Sequence, residues 1–174
     1  MQAINASPRT GVGSREDFER LFREEYPRVV GIANRVLADR QAAEDVAQEV
    51  FVDFNRLHRA DAPYAGPWLH AAAAHRALNA IRSRLRRAKR EAAYPLPAPA
   101  DPAEEVERAE ERRLVRAALS RIPGRGATVL ALRYSGLSYS EVASALGVGV
   151  NQVGTLLRRA EAQLRREVER GTSR

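Results

Sequence analysis

The sequence predicts an all-α protein in which two small helical domains are joined by a Pro-rich extended linker. Its 174 residues are 44% hydrophobic but only 6% aromatic, and the abundance of Ala, Leu, Arg and Glu favours helix over strand. Apolar residues recur at helical spacing, and no segment alternates with the period of a strand for long enough to form a sheet. Four prolines between Tyr94 and Pro102 exclude helix there and favour extended backbone.

The charges of the chain indicate a polyanionic partner. The net charge is +7, and the charges are segregated along the sequence. No acid interrupts the basic run from Arg76 to Arg90, whereas Arg108 is the single base in the acidic run from Asp101 to Glu111. The alternative for the basic run alone is a solvated helix face.

Other classes of protein are excluded by composition. Cysteine is absent, which excludes disulfides and thiolate metal sites. No apolar run approaches the roughly 20 residues needed to cross a bilayer, and the first residues lack the apolar core of a signal peptide. We expect a soluble, cytoplasmic protein with no direct membrane insertion.

The first half is predicted to contain three helical segments. Residues 16–38 form a helix that Pro27 kinks or splits in two. Residues 41–57 form the most amphipathic helix, with an acidic face opposite its apolar stripe. A loop marked by proline and glycine covers 58–67, and a long helix that becomes increasingly basic runs from Trp68 to about Lys89.

The domain boundaries follow from the linker. We expect a disordered tail at 1–14, a first domain at 15–92, the flexible acidic linker at 93–103 and a second domain at 104–170. Halves of about 90 and 70 residues bury only about 60% of their unfolded surface, so we expect a partner to stabilise one or both. The second half is predicted to be helical at 103–121, 125–134, 138–146 and 150–169.

The segment Gly136–Val148 is typical of a helix-turn-helix. Ser138 and Glu141 have the spacing of a capping box, Ala143 is small where two helices would cross, and Gly147 suits a left-handed turn. The next helix has an apolar stripe, in the order that this motif requires. An ordinary helical hairpin is the alternative. The stripe consists of Val153, Leu156, Leu157, Ala160 and Leu164.

The second helix of such a motif enters the major groove with its amino-terminal residues towards the bases. Asn151, Gln152 and Thr155 can hydrogen-bond base edges or phosphates, and Arg158 and Arg159 can neutralise phosphates. The more distal arginines, 165 and 166, fit a solvated face equally well.

These motifs, in this order, resemble the extracytoplasmic-function (ECF, group 4) subfamily of bacterial RNA polymerase sigma factors, in the sigma-70 family, over nearly the whole chain. The second half carries the pattern of sigma region 4 and the first half that of sigma region 2. The first pattern is seen in Leu132-Arg133-Tyr134, Gly136-Leu137-Ser138-Tyr139, Glu141-Val142-Ala143 and Leu146-Gly147-Val148. The second is seen in Tyr26-Pro27, Glu44-Asp45-Val46-Ala47-Gln48-Glu49-Val50-Phe51 and Trp68-Leu69.

The resemblance implies contacts with core RNA polymerase, through its β′ clamp helices and its β flap. An acidic helix in a basic protein already indicates a second, protein partner, although an ordinary solvated face is the alternative. The polymerase-binding residues implied are Asp45, Gln48, Glu49 and Asp53.

The resemblance also implies two promoter contacts. The loop and long helix would recognise and melt the −10 element, with rings to stack an extruded base and arginines to hold phosphates. Trp68 is favoured as a core residue, and His75 stands where the family often has Asn. The −10 residues implied are Tyr64, Trp68, His75, Arg76, Asn79, Arg82, Arg84, Arg86 and Arg87. The −35 residues implied are Ser138, Tyr139, Asn151, Gln152, Thr155, Arg158 and Arg159.

Gly154 and Leu156 stand where family members commonly have basic residues, so we expect weak −35 binding that depends on polymerase. The resemblance further implies that the linker threads the polymerase cleft, that the regulon is induced by stress or another signal, and that an anti-sigma factor, often membrane-bound, is a partner.

No residue set suggests an enzyme, a cofactor or a metal site, and His70 and His75 point to different helix faces. Two other functions stay open. One is a stand-alone helix-turn-helix regulator. The other is a non-initiating sigma paralogue that acts as an interaction protein.

Overall fold

The structure is a computed structural model that describes residues 14–91 and 103–173, with side chains from 108 onwards in the second range. Within these ranges the chain forms seven α-helices and no strand, which confirms the all-α prediction. Residues 1–13 of the predicted tail at 1–14 and residues 93–102 of the predicted linker at 93–103 lie outside the described residues, whereas Ser14 caps α1 and Ala103 begins α4. The helices are α1 (Arg15–Leu37), α2 (Arg40–Leu57), α3 (Ala65–Glu91), α4 (Ala103–Arg121), α5 (Arg125–Tyr134), α6 (Tyr139–Leu146) and α7 (Val150–Thr172).

Helix α1 is continuous through Pro27, so of the two predicted outcomes, a kink or a split, the split is wrong. Ser14 caps its start by accepting a hydrogen bond from the Asp17 amide at 3.1 Å. Proline removes one helical hydrogen bond, but the helix after it is held by buried side chains on the inner face, and such packing outweighs local propensity. These side chains are Val29, Val30, Ile32, Ala33, Val36 and Leu37.

A tight turn joins α1 to α2. Ala38 ends α1 in the left-handed conformation, with φ of 49°, and its amide donates to the Asn34 carbonyl at 2.8 Å. Asp39 then caps α2 by accepting from the Ala42 amide at 3.0 Å. An alanine in this conformation costs about 1–2 kcal/mol, which the packing on both sides of the turn offsets.

Helix α3 begins at Ala65, so the predicted loop is three residues shorter than expected. Gly66 and Pro67 lie in its first turn, where proline is tolerated because the amide it lacks has no helical acceptor. Glu25 of α1 fixes this turn. Its Oε2 lies 2.7 Å from Nε2 of the buried His70, and its Oε1 lies 3.0 Å from where a Cβ on Gly66 would be.

The two halves pack against each other. Helices α1, α2 and α3 form the first bundle and α4 to α7 the second, and α3 contacts α4, α5 and α6. The buried residues of both bundles form one continuous cluster. Its largest fully buried side chains are Phe51, Phe54, Ile32, Leu69, Leu78, Ile122, Leu132, Leu137, Val29, Val50, Val129 and Val142.

The predicted helix-turn-helix is present as α6 and α7. The Ser138 hydroxyl accepts from the Glu141 amide at 3.2 Å, and the Glu141 carboxylate accepts from the Ser138 amide at 2.8 Å, which confirms the capping box. Gly147 ends α6 with φ of 63°, as predicted for a left-handed turn.

Two glycines of this motif should respond in opposite directions to the same substitution. Gly154→Ala should raise the free energy of unfolding by about 1 kcal/mol, because the new Cβ would lie 3.6 Å from the Tyr139 ring, an ordinary contact. Gly147→Ala should lower it by about 1 kcal/mol, because its φ is strained for any residue with a Cβ. Urea denaturation measures both, and changes of equal sign would contradict the prediction.

Candidate functional site

The predicted polymerase-binding residues lie on one exposed face of α2, hereafter the acidic face. Asp45, Gln48 and Glu49 are exposed and Asp53 is half-buried, at the three- and four-residue intervals that bring side chains together on a helix. Val52, which is 54% exposed, lies among them. Val52 was not among the residues predicted from the sequence, although its absence from the apolar stripe was the available signal.

Arg76 of α3 reaches across to the acidic face. Its Nη1 donates to Glu49 at 2.7 Å, and its Nη2 binds Asp53. Because these groups are partly exposed, the ion pairs add little to stability, but they fix the orientation of both carboxylates. Arg76, predicted as a −10 contact, is thus bound to residues predicted to bind polymerase.

An aromatic cluster closes the loop between α2 and α3. The half-buried Trp68 ring packs against Phe54 at a centroid distance of 5.4 Å and against His58 at 4.7 Å. The Tyr64 ring meets His58 edge-on at 5.7 Å and is 48% exposed. The structure therefore brings the two predicted stacking residues together through His58, whose part sequence analysis missed.

Most of the other predicted −10 residues follow one face of α3. His75, Asn79 and Arg86 are exposed and, with Trp68 and Arg82, recur at intervals that keep them on one side of a helix.

Two predicted −10 residues lie off this face. Arg87 is exposed at its side, whereas Arg84 lies on the opposite side of α3. There its Nη2 donates to Asp39 at 3.0 Å.

Arg82 joins α3 to the second half. Its guanidinium donates to the Ser120 carbonyl at 3.2 Å and to the Ile122 carbonyl at 3.1 Å. These carbonyls lie at the carboxyl end of α4, where helical acceptors lack partners and the helix dipole favours a cation. In this arrangement the guanidinium of Arg82, a predicted DNA contact, is bound to carbonyls of the protein itself.

The predicted −35 residues of α7 are all exposed, namely Asn151, Gln152, Thr155, Arg158 and Arg159. Gln152 also accepts from the Gly149 amide at 3.0 Å, which fixes the start of the helix. Leu156 is half-buried against the core, as its place in the predicted apolar stripe indicates, and this packing accounts for an apolar residue where family members commonly have a basic one.

The first helix of the motif faces the first half. Glu141 binds Arg28 of α1 at 2.8 Å, and Tyr139 is 42% exposed with the Arg133 guanidinium 5.6 Å from its ring centroid. The hydrogen bonds from Ser138, and then Arg28, hold the pKa of the Glu141 carboxyl below its ordinary value. Glu141 therefore has two roles, as cap of α6 and as ion-pair partner across the two halves.

Two family profiles match this arrangement. Residues 21–88 match the profile of sigma-70 region 2, and residues 112–164 match that of sigma-70 region 4. Together they cover more than half of the chain, which therefore belongs to the sigma-70 family.

Curated relatives define the subfamily. The ECF RNA polymerase sigma factor SigM of Mycobacterium tuberculosis is 31% identical over 158 residues, which cover 88% of this chain and 78% of SigM. RfaY of Xanthomonas campestris pv. campestris, described as a probable RNA polymerase sigma factor, is 31% identical over 173 residues. This match covers 92% of the chain but 42% of RfaY, so the chain spans less than half the length of that relative.

The chain belongs to the ECF RNA polymerase sigma factors, a family that acts in promoter-directed transcription initiation. Sigma factors as a class are not enzymes. The fold is also similar to CnrH, solved in complex with the cytosolic domain of CnrY, with a TM-score of 0.53, 23% identity and 90% of each chain covered. None of the helices at 14–91 and 103–173 could span a membrane.

The lowered pKa of Glu141 predicts a pH-dependent stability. A carboxyl with a depressed folded pKa stabilises the fold above its unfolded pKa, and this contribution is lost as the pH falls through the folded pKa. Glu141→Gln keeps an acceptor for the Ser138 amide but removes the charge. It should therefore cost about 0.3–1 kcal/mol at pH 7 and less as the pH falls below 4.5, the ordinary value.

Urea denaturation at pH 7 and pH 3 measures this difference. Glu24→Gln, an exposed carboxylate elsewhere on α1, is the matched control and should change stability by the same small amount at both values. A Glu141→Gln cost that does not shrink at low pH would contradict the electrostatic explanation.

Proposed function

We propose that this chain binds core RNA polymerase, recognises −35 and −10 promoter elements and promotes DNA opening, to transcribe a stress- or signal-induced regulon. The observation that supports this best is the presence, on one chain, of an acidic face and of a helix-turn-helix whose recognition helix is exposed. Each surface binds a different partner, and the chain works by bringing them together in the cytoplasm, without catalysis.

The acidic face is the proposed contact with the β′ clamp helices. Asp45 and Gln48 are exposed, with Asp45 accepting one hydrogen bond from Gln41 at 3.4 Å, while Arg76 holds Glu49 and Asp53 in fixed positions. Val52 adds an exposed apolar group at the centre of a polar surface. An apolar centre with a polar rim is the usual anatomy of a protein interface. The contact of region 4 with the β flap rests on family membership.

The aromatic cluster and the exposed face of α3 are the proposed −10 contact. Tyr64 and Trp68 can stack a base taken out of the duplex, and the arginines of α3 can hold the strand. Arg82 becomes available only when its bonds to the end of α4 break. Promoter binding through Arg82 therefore requires the two halves to separate.

Helix α7 is the proposed −35 reader. Asn151 and Thr155 can reach bases, and Arg158 and Arg159 can reach phosphates. Gly154 offers no side chain and Leu156 packs inwards, so the helix makes fewer contacts and depends on polymerase for stable binding. An anti-sigma factor that holds the chain inactive is a further proposed partner. Family membership supports it, and its attachment to a membrane stays a prediction.

Run-off transcription with purified core polymerase, from the promoter of the chain's own gene, tests the function. Asp45→Arg should weaken binding to core at least tenfold and reduce transcription, because it reverses an exposed charge of the acidic face. Glu24→Arg makes the same charge reversal on an exposed site of α1 and should have little effect.

Failure of the wild-type chain to bind core polymerase would refute the proposal. Binding without initiation would favour the alternative that the chain is a non-initiating sigma paralogue. Unchanged affinity of the Asp45→Arg variant would remove Asp45 from the interface.

The −35 contact is tested by two arginines on the same helix. Arg158→Gln should weaken binding of polymerase holoenzyme to promoter DNA and lower the salt slope by about one unit. Arg166→Gln, two turns further along α7 and also exposed, should leave the slope unchanged. Filter binding over a range of salt concentrations measures both slopes. Equal changes in the two variants would contradict a particular role for Arg158 in the −35 contact.

A further inference from the structure

A cavity of 570 Å³ lies where the carboxyl end of α1 meets the second half, hereafter the seam cavity. Val115 and Leu119 of α4, Leu130 of α5 and Leu164 of α7 give it an apolar floor. Arg35 of α1 and Arg112 and Arg116 of α4 place three guanidinium groups around it. Its volume falls within the roughly 300–1,000 Å³ of small-molecule sites, which favour domain interfaces.

In the part of the chain that the structure describes, no carboxylate forms an ion pair with the three arginines of the seam cavity. Among the described residues, ion pairs engage Arg76, Arg84 and Arg113, whereas none involves Arg35, Arg112 or Arg116. Glu111 is the one carboxylate in the lining and does not pair with them. The described lining of the cavity therefore carries an excess of positive charge that no ion pair within it neutralises.

Arg116 is the most constrained of the three. It is half-buried, and burial, followed by the charges of Arg112 and Arg84, lowers the pKa of its guanidinium. Arg84 belongs to the first half and lines a second cavity together with Arg116. Arg84 is paired with Asp39, but Arg116 is a partly desolvated cation without an anionic partner among the described residues. Such a cation opposes the packing of the two halves.

An anion in the seam cavity would reverse this effect. Guanidinium groups bind phosphate with two parallel hydrogen bonds, and several around one cavity favour a group with more than one negative charge. The apolar floor and the Tyr134 ring favour a ligand that also has an apolar or planar part. Phosphate joined to an aromatic base meets both requirements.

We propose that the seam cavity binds a small organic phosphate of the nucleotide class, and that this ligand holds the two halves of the chain together. Its phosphates lie against Arg35, Arg112 and Arg116, and its planar part lies on Val115 and Tyr134. Because the ligand contacts α1 and α4 at once, it stabilises the arrangement in which they meet.

The regulatory consequence rests on the proposed function. In the packed arrangement Arg82 is bound to the Ser120 and Ile122 carbonyls and is not available to DNA. A ligand that favours this arrangement therefore lowers promoter binding, to the extent that its affinity differs between the packed and separated states.

Calorimetric titration of the full chain, without polymerase, tests the site. ATP and inorganic triphosphate are the probes. ATP should bind one per chain and more tightly than triphosphate, and Arg116→Gln should weaken ATP binding at least tenfold. Arg23→Gln removes an exposed arginine of α1 outside the cavity and should change affinity by less than twofold. Arg116→Gln should melt no lower than the wild-type chain, since it removes an unpaired cation.

Three results would overturn the site. These are no saturable binding of either probe, equal losses in Arg116→Gln and Arg23→Gln, or equal affinity for ATP and triphosphate. Since polymerase and promoter are absent, these results do not depend on whether the chain initiates transcription.

The effect on the two halves has its own measurement. The chain has no cysteine, so spin labels on Asn55→Cys and Ala162→Cys report one distance, between α2 and α7. Saturating ATP should narrow the distance distribution in the wild-type background and leave it unchanged with Arg116→Gln. A distribution that broadens or does not change in the wild-type background would refute the role in holding the halves together.

Discussion

The position of α3 depends on a buried polar contact, and most of the molecule depends on α3. Glu25 bonds His70 and lies close to Gly66 in the first turn of α3, so this carboxylate ties the start of α3 to α1. Such a contact is directional and costly to leave unmade in the interior, unlike apolar packing. From this start, the register of α3 determines which side chains meet α1 and α2, which meet the second half and which are exposed.

The same register gives the arginines of α3 different environments. Arg76 binds carboxylates of its own half, Arg82 binds backbone carbonyls of the other half, and Arg86 is exposed. A basic helix is therefore more than a uniform surface for nucleic acid. Arg82 binds the two halves together until another partner takes the place of the Ser120 and Ile122 carbonyls. The free energy of that exchange sets how readily the two halves separate.

The sequence predicts the start and end of a helix well wherever a local signal determines them. All four helices of the second half were predicted to within three residues, and for α6 the local signals for its start and stop are Ser138 and Gly147. Prediction from the sequence failed where contacts with residues distant in sequence determine the structure. Proline chemistry predicts a kink or a split at Pro27, but the packing of α1 on α2 and α3 keeps the helix continuous.

For the candidate surfaces too, local patterns could be predicted from the sequence, whereas contacts between distant residues could not. Helical periodicity was enough to group the acidic residues of α2 and the polar residues of α7. It could not show that Arg76 binds the first group, that Arg82 reaches across to α4, or that the cavity with Arg116 exists, because each depends on how the halves pack. No local pattern in the sequence encodes that packing.

The bonds of Arg82 have an evolutionary consequence. They go to the main-chain carbonyls of Ser120 and Ile122 rather than to side chains, so substitutions at those two positions leave the acceptors in place. Only a change at position 82 removes the donor, and that change also alters a side chain proposed to contact the promoter. Mutation therefore cannot easily separate the attachment of the two halves from the affinity for DNA, and selection would act on both together.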